Sequence, residues 1–346
     1  MDIDNLSMAN IDYQTICMDL LQALPLRQKE VLSRRFGLNG KSAETLQSIG
    51  SDLGITRERV RQLEKSGFLK LKDFKEDKNL QKAFSYFEKY FQEKGGLKRE
   101  DILLCDLSNE TNRNFVYFLL VLADMFHRFG DNEELHPFWA KEKEQEGTVL
   151  SLVKKVKDFF QKEKRPLCFE DVFSEFSSCS PVFLNACLEI AKAVEQGPLG
   201  NFGLVAWPEV KPRGVRDAAY LVLKKTGGPL HFREIAQTAN TLPGELFAKR
   251  KMLPQTIHNE LIRDPRFVLV GRGIYGLNEW GYTPGTVKEV ISNVLKGAPS
   301  LSKEEILQAV QKQRVVKPNT VFLNLSDKSY FQKDQSGKYA LKIKTA

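Results

Sequence analysis

Some chemistry is thinly supplied in this sequence. Its 346 residues hold five cysteines and four histidines, and the cysteines, at 17, 105, 168, 179 and 187, form no C-x-x-C pair. An odd, dispersed set excludes a disulfide framework and a structural zinc site. It reads instead as small apolar side chains in a reducing compartment. No run of about eighteen apolar residues occurs, so no membrane-spanning helix and no membrane partner are expected. The opening stretch, MDIDNLSMANIDYQ, carries acids where a signal peptide has a basic segment ahead of an apolar one. The expectation is a soluble, cytoplasmic protein. Phosphate loops, a paired-carboxylate and lysine cluster, and Ser-His-Asp or Cys-His groupings are all missing. No catalytic residue, metal, cofactor or small-molecule substrate is expected, and the chain reads as a binding protein, not an enzyme.

What is present is a divided charge. A hydrophobic content of 42% can furnish a core, and the length corresponds to two to four domains at roughly 100 to 200 residues each. The net charge of +8 is spread as −4 over residues 1–23, +5 over 24–78, −5 over 79–210 and +12 over 211–346. Two basic blocks separated by an acidic one imply contact with a polyanion.

The first basic block has a testable pattern. Pro25 opens a helix with Leu24, Val31, Leu32 and Phe36 on one face, stopped by Gly37 and Asn39-Gly40. Thr45 is placed to cap a second helix through Leu46, Ile49 and Leu53 to Gly54, and Thr56 to cap a third bearing Val60, Leu63 and Leu71. Two short helices joined at a glycine form a helix-turn-helix. Gly50 supplies the small residue four positions before the turn glycine, Leu53 and Ile55 flank it, and Val60 and Leu63 sit six and nine positions after it. At about 100° per residue, Arg57, Arg61 and Lys65 face away from those apolar residues, with Glu58 and Gln62 beside them. Arg suits guanine O6/N7, Glu suits cytosine N4 and Gln suits adenine, so this helix has the composition of a major-groove reader.

LPLRQKEVLSRRFGLNG followed by TLQSIGSDLGITRERVRQLEKSGFLKLKD resembles region 4 of primary-type bacterial sigma factors, over about residues 20 to 75. The resemblance implies double-stranded promoter DNA as a partner through a −35-like element, and RNA polymerase core through its β flap. By position it makes Arg57, Glu58, Arg61 and Gln62 base readers and brings Thr45, Leu46, Thr56 and Arg59 to the phosphates. One departure stands out. Gly67 lies inside the third helix, where glycine costs about 1 kcal/mol relative to alanine, and this weakens the end of that helix. Nothing in the chain resembles the aromatic-rich helix of sigma region 2, so a complete promoter-opening factor is not expected.

Residues 79–147 read as helices, with stripes at Phe84, Phe87, Phe91 and at Phe115, Phe118, Leu119, Leu122, the second extended by Met125, Phe126 and Phe129. KEKEQEG at 141–147 reads as a solvated linker. The remainder repeats. Pro181, Pro254 and Pro318 each open a helix, and 19 residues later Gly200, Gly273 and Gly337 each open a Gly-x-aromatic-small-Leu strand. Upstream, Pro166, Pro229 and Ser300 begin matching helices. Each unit is three helices and a β hairpin, a winged helix.

The second copy, from GVRDAAYLVLKKTGGPLHFREIAQTAN to RFVLVGRGIYGLNEW, resembles the HARE-type helix-turn-helix domain, a winged helix shared with some restriction endonucleases and chromatin proteins, over about 213–280. That implies association with nucleic acid or transcription machinery. The basic and polar residues placed to meet nucleic acid are Arg250, Lys251, Gln255, Thr256, Asn259, Arg263 and Arg272 in this copy. In the third they are Arg314, Lys317, Asn319, Thr320, Lys333 and Lys338. Copy one lies in the acidic stretch with Val182, Phe183 and Leu184 where the others are polar, and is expected to face protein. Trp207 and Trp280 are expected to close the first two wings, with Lys344 at that place in the third.

The expected architecture is mainly α. An acidic N-terminal helix (1–23) precedes a tri- or tetrahelical helix-turn-helix (24–78) and an acidic helical spacer (79–147). Winged-helix repeats follow over 148–210, 211–281 and 282–346. The expected function is a DNA-binding transcription regulator in the bacterial cytoplasm, associated with the nucleoid. A delta-like polymerase accessory subunit is the alternative, and a component of a restriction or DNA-modification enzyme the distant third.

Overall fold

The computed structural model describes residues 11–109, 111–244, 247, 251–298 and 300–342. Arg250 and Lys344 lie outside the described residues. The chain divides into two compact units, residues 1–195 and 196–346. It is mainly helical, with small sheets of two or three strands.

The first unit begins with α1 (Tyr13–Gln22), α2 (Leu26–Arg35), α3 (Leu46–Leu53) and α4 (Arg57–Leu71). Local chemistry sets their ends. Thr45 Oγ1 accepts from Ser48 N at 3.1 Å and Thr56 Oγ1 accepts from Arg59 N at 3.2 Å, while Gly54 closes α3 at φ 68°. A Cβ on Gly50 would stand 2.8 Å from the Ile55 carbonyl oxygen, which is why the crossing of α3 and α4 needs a residue without one. Val31, Ile49 and Val60 are buried at the centre of this helix-turn-helix. The glycine expected to weaken α4 does not interrupt it. Gly67 is buried against α2, where a Cβ would meet Leu32 Cδ1 at 3.0 Å, so close packing replaces the side chain.

The next stretch differs from the expected helical spacer. Its helices α5 (Lys78–Glu93) and α7 (Arg113–Leu122) carry the aromatic stripes into the core and α6 (Glu100–Leu107) adds leucines, but strands β1 (Leu97–Arg99), β2 (His127–Phe129) and β3 (Phe138–Ala140) accompany them. They form an antiparallel sheet in the order β1-β3-β2. The second stripe therefore ends at Leu122, because the chain leaves α7 through Asp124 at φ 54° and becomes extended at His127. Met125 is exposed and Phe126 buried. The segment read as a linker already belongs to α8 (Gln145–Glu163) from Gln145 onward.

Helix, strand, helix, helix, strand, strand is the order of a winged helix, and the second unit has it over residues 215–277. Ahead of it, α9 (Phe169–Glu175) and α10 (Pro181–Ile190) belong to the first unit and are followed in the chain by β4 (Val194–Gln196) and β5 (Phe202–Leu204). Then α11 (Val215–Thr226) is followed by β6 (Leu230–His231), α12 (Phe232–Ala239), α13 (Pro254–Arg263), β7 (Phe267–Gly271) and β8 (Ile274–Leu277). The sheet order is β6-β8-β7, matching β1-β3-β2. Helices α14 (Val287–Lys296), α15 (Lys303–Gln313) and α16 (Pro318–Leu325) with strands β9 (Phe331–Lys333) and β10 (Tyr339–Leu341) give three helices and two strands, with an isolated bridge at Leu301 in place of the first strand. The leucine ahead of the second helix meets the wing aromatic in both, as Leu230 opposite Tyr275 and Leu301 opposite Tyr339. Pro181, Pro254 and Pro318 each stand at a helix start, and Gly200, Gly273 and Gly337 turn the wings at φ 84°, 71° and 86°. The small residue of the wing strand has a cause as well: Trp207 lies on Gly203, and Tyr282 with Trp280 on Gly276.

Candidate nucleic-acid interface

The face of α4 opposite Val60, Leu63 and Gly67 presents Arg57, Glu58, Arg61, Gln62 and Lys65, all exposed. Its first turn is held by the Thr56 cap, so these side chains project from a helix start whose geometry is set. Arg61 reaches back one turn to Glu58, with Nε to Oε2 at 2.8 Å and Nη2 to Oε1 at 2.6 Å. That guanidinium holds the Glu58 carboxyl below its usual range, and Glu58 in turn raises Arg61. Arg59 Nη1 donates to Gln62 Oε1 at 3.1 Å, and the Gln62 side chain also helps hold the Glu58 carboxyl low. The Arg57 side chain makes no hydrogen bond or ion pair among the described residues, though its charge helps hold Glu58 low.

The residues assigned to phosphate contact lie at helix starts. Thr45 and Thr56 use a hydroxyl lone pair for capping and retain the O–H proton as a donor. Leu46 is half-buried in the small helix-turn-helix core, and only its main-chain N–H, the first of α3, has phosphate-binding chemistry. Behind this face a charged brace orients α2 against α3. Arg34 Nε donates to Glu44 Oε1 at 2.9 Å and Nη2 to Oε2 at 2.6 Å, and Arg34 also pairs with Asp52. The Arg34 hydrogen bonds pull the Glu44 carboxyl below its ordinary value.

The rear of the helix-turn-helix is covered by its own chain. Phe36 packs against Phe68, Tyr117 and Phe118 at ring separations of 5.5, 6.0 and 5.3 Å, and Asn114 Nδ2 donates to the Gly37 carbonyl at 3.2 Å. The third helix of the 78–140 stretch, α7, is thereby used for packing. Helix α10 has a comparable fate. Its Glu189 takes Lys98 Nζ at 2.5 Å, and its Phe183 backbone lies over Gly95, where a Cβ would come within 3.0 Å. Leu184 is buried, Phe183 half-buried and Val182 exposed, so the apolar start of this helix is only partly taken up inside the chain.

The corresponding helices of the second unit are open. Along α13, Gln255, Asn259 and Arg263 are exposed and Thr256 half-buried, with Lys251 exposed ahead of it and Arg272 exposed on the wing. Gln255 Nε2 donates to Asn259 Oδ1 at 3.1 Å. Around α16, Lys317, Asn319, Thr320, Lys333 and Lys338 are exposed. Arg314 departs from this pattern and corrects the expectation that it meets nucleic acid. Its side chain is buried, donating to the Leu269 carbonyl at 2.9 Å and to those of Val270 and Gly285, and burial lowers its pKa. It binds its own chain's backbone. Both α13 and α16 also expose a large apolar residue that the charge pattern gave no reason to single out, Ile262 at 63% and Leu323 at 76%. Helical spacing from Asn259 and Thr320 would have placed each on the open face.

Comparison with known proteins agrees with this geometry. Residues 20–73 match the family model for sigma-70 region 4, and residues 213–280 match the HARE-HTH model, the helix-turn-helix domain of ASXL and restriction endonuclease proteins. Both are helix-turn-helix families, not enzyme families. The chain is 47% identical over 62 residues to RNA polymerase sigma factor sigB of Arabidopsis thaliana, covering 18% of this chain and 11% of that protein. It is 40% identical over 62 residues to RNA polymerase sigma factor SigA of Bacillus sp, covering 18% and 16%. With the SigA of Clostridium acetobutylicum it shares 38% over 63 residues, covering 18% and 17%. The chain thus spans less than a fifth of the length of these relatives. Residues 20–73 form a sigma-like, DNA-binding helix-turn-helix. No helix among the described residues is long and apolar enough to cross a membrane.

Proposed function

We propose that the chain is a DNA-binding transcription regulator that reads a −35-like promoter element with α4 and associates with RNA polymerase core through the β flap, in the bacterial cytoplasm at the nucleoid. The observation that carries this reading is the open face of α4: Arg57, Glu58, Arg61 and Gln62 are all exposed on a capped helix whose opposite face is buried. Arg59, Thr45, Thr56 and the Leu46 N–H flank it as phosphate contacts. Lys251, Gln255, Thr256, Asn259, Arg263 and Arg272 in one winged segment, with Lys317, Asn319, Thr320, Lys333 and Lys338 in the next, add contacts to the backbone in the +12 block.

Selection from random duplexes, followed by binding of Arg61→Ala, tests it. The variant should lose about 10- to 100-fold on the selected sequence and much less on random DNA. Equal loss on both would make Arg61 a phosphate contact and remove base reading from α4. Retention of core polymerase in a pull-down with the full chain is expected, and loss of the flap should abolish it.

A delta-like accessory subunit acting through protein contacts is the second reading. It is favoured by Ile262 and Leu323, exposed on α13 and α16 where a groove reader would be polar. Polymerase binding without any sequence preference would select it.

A further inference from the structure

We infer that Leu323 is a specificity residue of the last winged segment, reading the C5 methyl of a thymine in the major groove. The inference rests on the chain being a DNA binder and is independent of which bases α4 reads. On α16, Val321 and Leu325 are buried in the core of their segment. At about 100° per residue, Leu323 points directly away from them, with Asn319 one turn before it and Thr320 beside it. Leu323 is 76% exposed and stands at the centre of the open face.

The surroundings choose the occupant. Residues 282–346 carry eleven Lys and Arg against five Asp and Glu, and Lys317 at the start of α16 is exposed, as are Lys333 and Lys338 on the hairpin. Charge of that sign suits the phosphates on either side of a groove. An apolar surface that docks protein would run on to its neighbours, but Phe322, next to Leu323, is half-buried under Lys303 Nζ, which lies 3.8 Å from its ring centre. Asn324 Nδ2 donates to the Thr320 carbonyl at 2.8 Å and Ser326 Oγ to that of Phe322 at 3.0 Å, so these donors are spent on the helix itself. Leu323 is thus a single apolar point in a polar, cationic field. The one apolar group that a base-pair edge presents in the major groove is the thymine methyl. Asn319 has the amide that pairs with adenine N6 and N7, and the two side chains together favour a step containing A·T.

Binding of the full chain to duplexes selected from random sequence tests it, with deoxyuridine replacing each selected thymine in turn. Deoxyuridine keeps the base pair and removes only the methyl. At one thymine the parent should lose about three- to fivefold in affinity, the size of one buried methyl. Leu323→Ala should bind the thymine duplex more weakly by a similar factor and respond to deoxyuridine there by less than about 1.5-fold. Its thermal midpoint should equal that of the parent, because the side chain is so exposed. In an Arg61→Ala background the deoxyuridine effect should persist, since a different helix makes the contact. Parent and Leu323→Ala responding alike to deoxyuridine at every selected thymine would overturn the inference. So would a Leu323→Ala chain that captures core polymerase less well while its DNA binding is unchanged, which would make Leu323 the protein anchor of the accessory-subunit reading. Equal loss of Arg61→Ala on selected and random DNA strikes the reading of α4 alone, and the deoxyuridine effect then still decides the role of Leu323.

Discussion

At the scale of the residue, identical side-chain types have diverged in role according to burial. Arg61 lies on an open helix face with two of its guanidinium donors on Glu58 and the rest unused, whereas Arg314, assigned by charge alone to nucleic acid, donates to three main-chain carbonyls from a buried site. Charge in a sequence cannot separate the two, because the distinction depends on carbonyls 29 to 45 residues away in the chain. Arg314→Ala should deprive the Leu269 and Gly285 carbonyls of this donor, Val270 keeping the Val315 N–H, and destabilise residues 196–346 by about 2 to 4 kcal/mol, measured by urea unfolding of the full chain. DNA binding at a temperature where the variant is folded should be unchanged. Asp327 offers a pH handle. Lys288 Nζ at 2.6 Å, together with Ser329, lowers its pKa to about 2. A depressed folded-state value contributes stability above the unfolded value near 3.8, and that stability is lost as pH falls through 2. Asp327→Asn should therefore remove part of the acid-induced loss between about pH 4 and 2, followed by circular dichroism.

At the scale of the element, the helix-turn-helix was legible because each of its boundaries is written locally. Thr45, Gly50, Gly54, Thr56, Val60 and Leu63 act within one or two turns of themselves, and the structure places a cap, a crossing or a buried contact at each. Gly50→Ala is expected to destabilise the helix-turn-helix by about 1 to 3 kcal/mol, since the Ile55 carbonyl at 2.8 Å is backbone and cannot rotate away. Thermal melting checks it, and sequence-specific binding should fall further than stability alone dictates as α4 tilts. The 78–140 stretch was legible in its helices and core residues but not in its strands. Arg113 stands at the start of its third helix where the repeats have proline, and the 130–137 loop replaces a tight Gly-x-aromatic corner. Without those markers, short strands of three residues are indistinguishable from helix ends, and pairing between β1 and β3 joins residues some forty positions apart.

At the scale of the molecule, the alternating charge divides the winged segments by how they use the third helix. In the acidic part, α7 and the buried side of α10 pack within the chain, while in the basic part α13 and α16 remain open. Lys317→Ala should thus reduce the salt slope of DNA binding by about 1 without altering the selected sequence. An unchanged slope, measured across potassium chloride concentrations, would mean that α16 faces protein and would favour the accessory-subunit reading. The sequence specified what acts over short distances: the caps and turn of the helix-turn-helix, the recurring proline and glycine marks, the aromatic core stripes and the charge alternation. Folding in three dimensions settled what depends on distant partners: the sheet within 78–140, the unbroken α4 across Gly67, the burial of Arg314, and which third helices stay free. The physical reason is range. Capping, helical periodicity and left-handed turns are satisfied by near neighbours, whereas burial, strand pairing and the availability of a charged side chain are decided by whatever the rest of the chain brings beside it.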